Sequence, residues 1–342
     1  MDSSPASTLI DLQCPVCGTH FDAGLSQTFC KECVSPLLAQ YDLDAVRQSL
    51  SREQIRNRPR GIWRWAELLP VRSAQHRLEL GAGDTPLLAV PRLAKRLGLP
   101  GLQIKDEAFN PTGTIKARGL GVAVSKAREL GLNHLAVFSP ANAGSALAAY
   151  AARGGLKAHV CSPADAPLSH QREVLAYHAE LYMADNLADE TDRPGWFDIS
   201  AFKEPYQIEG FKTLGFEIAE QMQWHLPDVI IIPTGSGTTL VGLWKAFSEM
   251  EALGWIDSHR PQIVSVQAAG CAPVVNAFHQ GADKTEPWEK PHTLAAGLRV
   301  PSPFAGRLIL QTLSQSRGRA IAVTDEDITA AQHEFAASEG MG

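Results

Sequence analysis

Two short stretches carry residues able to do chemistry. In "NPTGTIKARG", Asn110 to Gly119, Lys116 follows a Pro-Thr-Gly turn at the point where strand-like patterning gives way to helical patterning. A cation is disfavoured at the positive end of a helix, so Lys116 should lose proton affinity there. An amine of that kind can condense with an aldehyde to a Schiff base. The second stretch, "PTGSGTT", Pro233 to Thr239, follows an apolar strand-like run and opens a helix. Backbone N–H groups and hydroxyls of Gly235, Ser236, Gly237, Thr238 and Thr239 would converge there on an anion such as phosphate. Each motif has an ordinary reading as well: the loop as a tight turn, the lysine as a solvated surface residue. One molecule, pyridoxal 5'-phosphate, would use both, since it joins an aldehyde to a phosphate.

Other phosphate ligands fit less well. The dinucleotide fingerprint wants a third glycine where Leu240 stands, and an acid at the end of the next strand where Gln267 stands. No Gly-Lys-Ser/Thr ending marks a nucleoside triphosphate site. A third cluster, Cys14-Pro-Val-Cys17 and Cys30-Lys-Glu-Cys33, has the pairing that closes four thiolates around one structural zinc in a segment too small to fold on its core alone. Cysteines that only pack, or a ribbon that has lost its metal, are the alternatives. Cys161 and Cys271 read as buried thiols.

Elements that could position these groups alternate along the chain. "LQIKDE", "HLAVFS" and "KAHVCS" read as strands, and Gly119 to Leu130, Ser145 to Arg153 and Ser169 to Ala179 as helices. A second set begins at Asp228 with a strand, the glycine loop and a helix, followed by the strand "QIVSVQAAG". Thr324-Asp-Glu-Asp327 has the form of a capping box opening a helix toward Ser338. Repeated strand–helix units imply parallel sheets covered on both faces, an α/β architecture. "SREQIRNRPRGIWRWAELLPV" turns from polar to aromatic and reads as a linker that docks onto the main body.

The whole composition suits a globular protein acting on small molecules. The 342 residues are 44% hydrophobic, and 31 basic against 37 acidic residues give a net charge of −6 without long runs of one sign. That balance argues against nucleic acid or an anionic membrane surface as partner. No stretch approaches the roughly 20 apolar residues of a membrane span, and the N-terminus lacks a secretory pattern, so a cytoplasmic location is expected.

Taken in order, the motifs resemble those of fold-type II pyridoxal phosphate enzymes. "NPTGTIKARG" is similar to the family's Asn-Pro-Thr-Gly-Ser-Phe-Lys-Asp-Arg-Gly, "SPANAGSALAAYAA" to its Ser-Ser-Gly-Asn segment, and "PTGSGTT" to its phosphate loop. Within the group the likeness is to threonine synthases, through the cysteine ribbon, "LGAGDTPLL", "IEGFKTLGFEIAEQ", "VQAAGCAPVV", "TLAAGLRVPSP" and "VTDEDITAAQHEFAASEG". The resemblance implies two open α/β domains with the cofactor in the cleft between them. It divides the chain into a zinc-ribbon-like segment at 1–40, a linker and first part of the large domain at 41–101, a small domain at 102–190, and a large cofactor-binding domain at 191–342. It implies that Lys116 carries the cofactor and moves protons, that Asn142 bonds its 3′ oxygen, and that Gly235 to Thr239 hold its phosphate. Helix N-termini after residues 113 and 143 would face the substrate carboxylate. The implied reaction releases phosphate from O-phospho-L-homoserine and adds water to give L-threonine, in a homodimer.

Departures from the family pattern sharpen the expectations. Ala82, Ala117 and Ala141 replace a usual Glu, Asp and Gly, and Gln207 stands where some members carry an Arg for the substrate phosphate. Loss of that cation removes a contact of roughly 1.5–3 kcal/mol, with Lys203 and Lys212 as possible substitutes. The family also continues beyond "SEGMG" into a strand whose Ser or Thr meets the pyridine nitrogen. Two alternatives follow: a serine/threonine dehydratase or β-replacement synthase of the same fold, or a catalytically impaired relative with the C-terminal part of the large domain missing.

Overall fold

A computed structural model describes residues 5–139, 142–183, 191 and 193–341. The cysteine segment comes first, with antiparallel strands β1 (Leu9–Gln13), β2 (His20–Phe21), β3 (Phe29–Cys30), β4 (Ser35–Pro36) and β5 (Leu38–Tyr41). The stretch read as a linker is folded. It forms helices α1 (Leu43–Ser49) and α2 (Arg52–Arg56), the latter under a Ser51/Gln54 capping box, and then a 3-10 segment, Ile62–Leu68, that buries Trp65 completely. Its polar residues do not solvate a tether: Arg47 and Arg52 donate to the carbonyls of Ala252 and Trp255.

Next come the antiparallel pair β6 (Leu87–Ala89) and β7 (Gln103–Lys105), separated by α3 (Pro91–Leu97). Helix α4 (Lys116–Glu129) leads into a parallel sheet of β8 (His134–Phe138), β9 (Lys157–Ser162), β10 (Glu180–Met183) and β11 (Phe197–Asp198), in the order β10-β9-β8-β11. Its helices are α5 (Asn142–Gly154) and α6 (Leu168–Ala176). After α7 (Gln207–Gln221), a second parallel sheet orders β12 (Val229–Pro233), β13 (Gln262–Ala268) and β14 (Arg319–Val323) as β12-β13-β14. Around it lie α8 (Thr238–Ala252), α9 (Pro273–His279), α10 (Gly306–Gln315) and α11 (Asp325–Glu339). The Thr324/Asp327 capping box starts α11 as its sequence implies. Parallel strands need crossover helices, and the expected α/β class follows from that alternation. Among the described residues no helix is long and apolar enough to cross a membrane.

Helix α7 is the axis of the molecule. Every residue from Gln207 to Ala219 is buried, because α4 packs on one side and α8 on the other. Side chains are too large for the first contact. A Cβ at Gly210 would lie 2.1 Å from the Arg118 carbonyl oxygen, and one at Gly119 would lie 2.4 Å from the Phe211 ring, so glycines let the two backbones meet. Buried charges on α7 are compensated in place. Lys212 Nζ lies 2.6 Å from Glu209 and 2.9 Å from Glu249, Lys245 Nζ lies 3.1 and 2.5 Å from the same two carboxylates, and the Tyr41 ring covers Lys212 at 4.1 Å.

The α4–α7 contact gives a test. Gly210→Ala forces a methyl group into backbone that cannot yield, and a loss of roughly 3 kcal/mol or more is expected, the upper end of overpacking costs. Urea unfolding should show it, while Gly297→Ala, whose Cβ would meet nothing within 4 Å, should keep the wild-type midpoint.

Candidate active site

Lys116 is the first residue of α4, not a residue before a helix at Gly119. The turn ahead of it, Pro111–Gly113, places Thr112 and Gly113 in the left-handed region at φ 57° and 63°. That backbone is unfavourable for threonine, and neighbouring bonds enforce it. Asn110, almost fully buried, accepts from Gly83 N at 2.9 Å and donates to the Glu107 carbonyl and carboxylate at 2.9 and 3.0 Å. The lysine is half-buried, with its Nζ 5.3 Å from the Phe211 ring centroid. Among the described residues no carboxylate pairs with it. Burial alone lowers its pKa to about 8. The helix-end argument had the right direction; desolvation is the cause that operates.

The glycine loop meets Lys116 through α7. A Cβ at Gly242, one turn into α8, would sit 3.1 Å from Lys212 N and 3.3 Å from the Ile208 carbonyl; Gly119, one turn into α4, abuts Phe211 and the Gln207 carbonyl. The first turns of both helices therefore converge on one turn of α7. Helix α8 starts without any side-chain cap, leaving its first N–H groups available to an anion. Gly237 reaches this turn at φ 80°, with Ile309 filling the place of a side chain, and Gly235 lies against the Gly297 carbonyl and Val300. Ser236 and Thr238 hydroxyls stand 3.3 Å apart. Gln267, which argued against a dinucleotide, is fully buried as a brace: it donates to Thr234 O and accepts from Val274 and Val275 N. Asn142 begins α5, half-buried, and α5 packs against α4 and the 111–113 turn. Ala141 lies outside the described residues.

Sequence reading missed the network that fixes α4. Arg118 has no exposed surface and spends all five N–H groups: on Glu107 at 2.6 and 2.9 Å, on Glu217 at 2.7 Å twice, on Thr213 at 3.0 Å and on Thr85 at 3.1 Å. Lys105 adds a 3.0 Å bond to Glu217, and the paired cations hold the Glu217 carboxyl down at about 2. A signal was present in the spacing of Gly210, Thr213 and Glu217, which share one face of a helix. Ala82 and Ala117, in place of the usual acids, are fully buried.

Gln207 gives no cation to the site and is itself committed. Its amide donates to the Ile199 carbonyl, and its N–H bonds Glu204, which also accepts from Tyr206 N. Neither proposed substitute is free: Lys212 belongs to the buried ring of charges, and Lys203 lies over the Phe29 and Phe304 rings at 5.1 and 4.4 Å. Cys161 and Cys271 are buried as expected. The sulfurs of Cys14, Cys17, Cys30 and Cys33 all lie within 4.8 Å of one another, Cys17 and Cys30 at 3.9 Å. Tetrahedral zinc with bonds of about 2.3 Å separates its sulfurs by about 3.8 Å, so this donor set fits that ion.

A family model described as pyridoxal-phosphate dependent enzyme matches residues 78–342. The chain belongs to this family. Threonine synthase of Methanocaldococcus jannaschii is 35% identical over 337 residues, 96% of this chain and 83% of that protein. That of Methanosarcina acetivorans is 34% identical over 339 residues, 97% and 82% of the two chains. Among solved structures, maize serine racemase superposes with a TM-score of 0.62 at 23% identity, over 74% of this chain and 75% of that one. Threonine deaminase isoform 2 of Solanum lycopersicum gives 0.63 at 20% identity, over 83% and 81%. These two structures share the fold, the fold-type II arrangement. Pyridoxal phosphate is the family's cofactor, and the residues present suit it: an amine of lowered proton affinity with no carboxylate partner among the described residues, an uncapped helix start and a glycine-rich turn.

The chemistry of the amine is measurable without cofactor. Acylation of Lys116 in the apoprotein by an amine-directed reagent, followed by peptide mass spectrometry, should rise with pH around a midpoint near about 8, below the 10.5 of an ordinary lysine. The labelled peptide should vanish in Lys116→Met. A midpoint above 10 would remove the burial argument.

Proposed function

We propose that this pyridoxal-phosphate dependent enzyme is a threonine synthase, turning O-phospho-L-homoserine and water into L-threonine and inorganic phosphate. The observations that support the reading are that α4, which Lys116 opens, and α8, which the 235–239 loop precedes, both pack through their first turns on one turn of α7, and that the chain aligns over nearly its whole length with threonine synthases. The bound cofactor supplies an electron sink for charge that develops next to the substrate's amino carbon.

The chain's own residues do the rest. Lys116 holds the cofactor aldehyde through its amine and, with a pKa near 8, takes up and returns protons at the substrate's carbon atoms. Gly235, Ser236, Gly237, Thr238 and Thr239 hold the cofactor phosphate by N–H groups and hydroxyls at the start of α8, where the helix dipole favours the anion. Asn142, the first residue of α5, would bond the ring oxygen of the cofactor, and the starts of α4 and α5 would favour the substrate carboxylate. Arg118 touches neither ligand: its bonds hold the first turn of α4 in place. Cys14, Cys17, Cys30 and Cys33 bind one structural zinc, with no position left open for catalysis.

Purified enzyme loaded with cofactor should release phosphate from O-phosphohomoserine and form threonine in equal amounts. Lys116→Ala should lower kcat by at least about 10³-fold, since both its covalent and its proton-transfer roles go. If threonine or serine were instead converted to a 2-oxo acid with no phosphate released, the enzyme would be a dehydratase.

For the ribbon, metal analysis should find one zinc per chain. Its removal by chelator should lower the thermal midpoint, because the metal holds a segment whose Phe29 packs on Phe304 at 5.1 Å and whose Ala23 carbonyl accepts from Tyr206. Metal-free protein with an unchanged midpoint would dismiss the structural ion.

A further inference from the structure

The proposed substrate carries a phosphate of its own, and the expected cation for it is absent at position 207. A phosphate ester in a cleft needs a charge-assisted partner. Near the start of α7, Lys212 is committed to the ring of charges and Arg118 has every N–H used, while Lys203 lies against the faces of Phe29 and Phe304, beside the cysteine segment. Lys116 serves the aldehyde.

Arg299 stands apart from these. It follows the 3-10 turn Ala296–Leu298, whose neighbours Gly297 and Val300 form the wall against Gly235 of the phosphate loop. Arg299 is held by Asp165, three residues past the end of β9, through parallel bonds of 2.6 and 2.9 Å. Asp165 thus lies beyond the C-terminal end of β9, and Arg299 beside the loop that follows the C-terminal end of β12, the place where open α/β sheets bind ligands. The guanidinium presents to Asp165 the same two-pronged fork it would present to two phosphate oxygens. That carboxylate is 62% exposed, so solvent screens the pair and a doubly charged group can displace it.

We propose that Arg299 receives the phosphate group of the substrate, and that Asp165 occupies the guanidinium until that group arrives. This rests on the threonine synthase reading and adds the residue that selects a phosphorylated substrate. Exchange of one anion for the other leaves the fork satisfied throughout, and it frees the loop after β9 from the 296–300 wall. An unphosphorylated amino acid cannot make that exchange, which discriminates against homoserine.

Holoenzyme variants test this with O-phosphohomoserine and homoserine side by side, using KM, kcat and calorimetric Kd. Arg299→Gln should raise KM for the phosphate ester about 10- to 100-fold, the range set by losing a charged hydrogen bond, while Kd for homoserine stays within about twofold. Arg299→Lys should recover part of the loss. Asp165→Asn, which removes the competing anion, should lower KM and the inhibition constant of inorganic phosphate several-fold. A KM unchanged in Arg299→Gln, or a parallel weakening for both compounds, overturns the proposal. Wild-type holoenzyme that binds the two compounds alike and releases no phosphate overturns the activity assignment, and the proposal with it.

Discussion

Where α7 crosses α4, backbone meets backbone, and that contact sets the distance between the two halves of the site. Gly210 and Gly119 leave no side chain between the helices, and Gly242 does the same for α8 on the adjacent face, where Phe211 touches both neighbours. Lys116 stands three residues before Gly119, and the anion loop ends three residues before Gly242. One buried helix therefore packs against the helix that Lys116 opens and against the helix that follows the glycine loop, more than a hundred residues further along the chain. Interiors at crystal-like density hold such an arrangement to within a fraction of an ångström.

The electrostatics are selective in the same way. Arg118 and Lys212 are buried, and Lys245 partly so, with carboxylates in contact, and Lys105 shares Glu217 with Arg118. Such pairs are retained because removing one partner leaves an uncompensated charge, a loss of roughly 3–5 kcal/mol. Lys116 has no such partner among the described residues, and burial lowers its proton affinity. Its neutral form is accessible near pH 8, so it can attack a carbonyl or carry a proton where its neighbours cannot.

Much of this was legible from residue order. The strands "HLAVFS" and "KAHVCS", the α11 capping box and the glycine loop all appear where local patterning implies, because propensity and packing agree there. Helix starts were less legible: α4 and α5 each begin three residues earlier than their apolar periodicity, since contacts with α7 and with the 111–113 turn extend them. Lys116 could be singled out as a candidate because a Pro-Thr-Gly turn before a helix is a local signal. Arg118 could not, since Glu107 and Glu217 reach it from separate segments, and nothing local distinguishes a buried arginine from an exposed one. The polar run at 51–60 misled for the same reason: its arginines find backbone carbonyls, Arg52 that of Trp255 just past α8 and Arg58 that of Arg64 in the next segment.

The closed ring of Glu209, Lys212, Lys245 and Glu249 beneath Tyr41 has a historical implication. Two positive and two negative groups share so little water that none can be exchanged alone without stranding an opposite charge. Lineages descended from this sequence should therefore keep all four together, or abandon them together for apolar side chains of similar volume, and intermediate combinations should be rare.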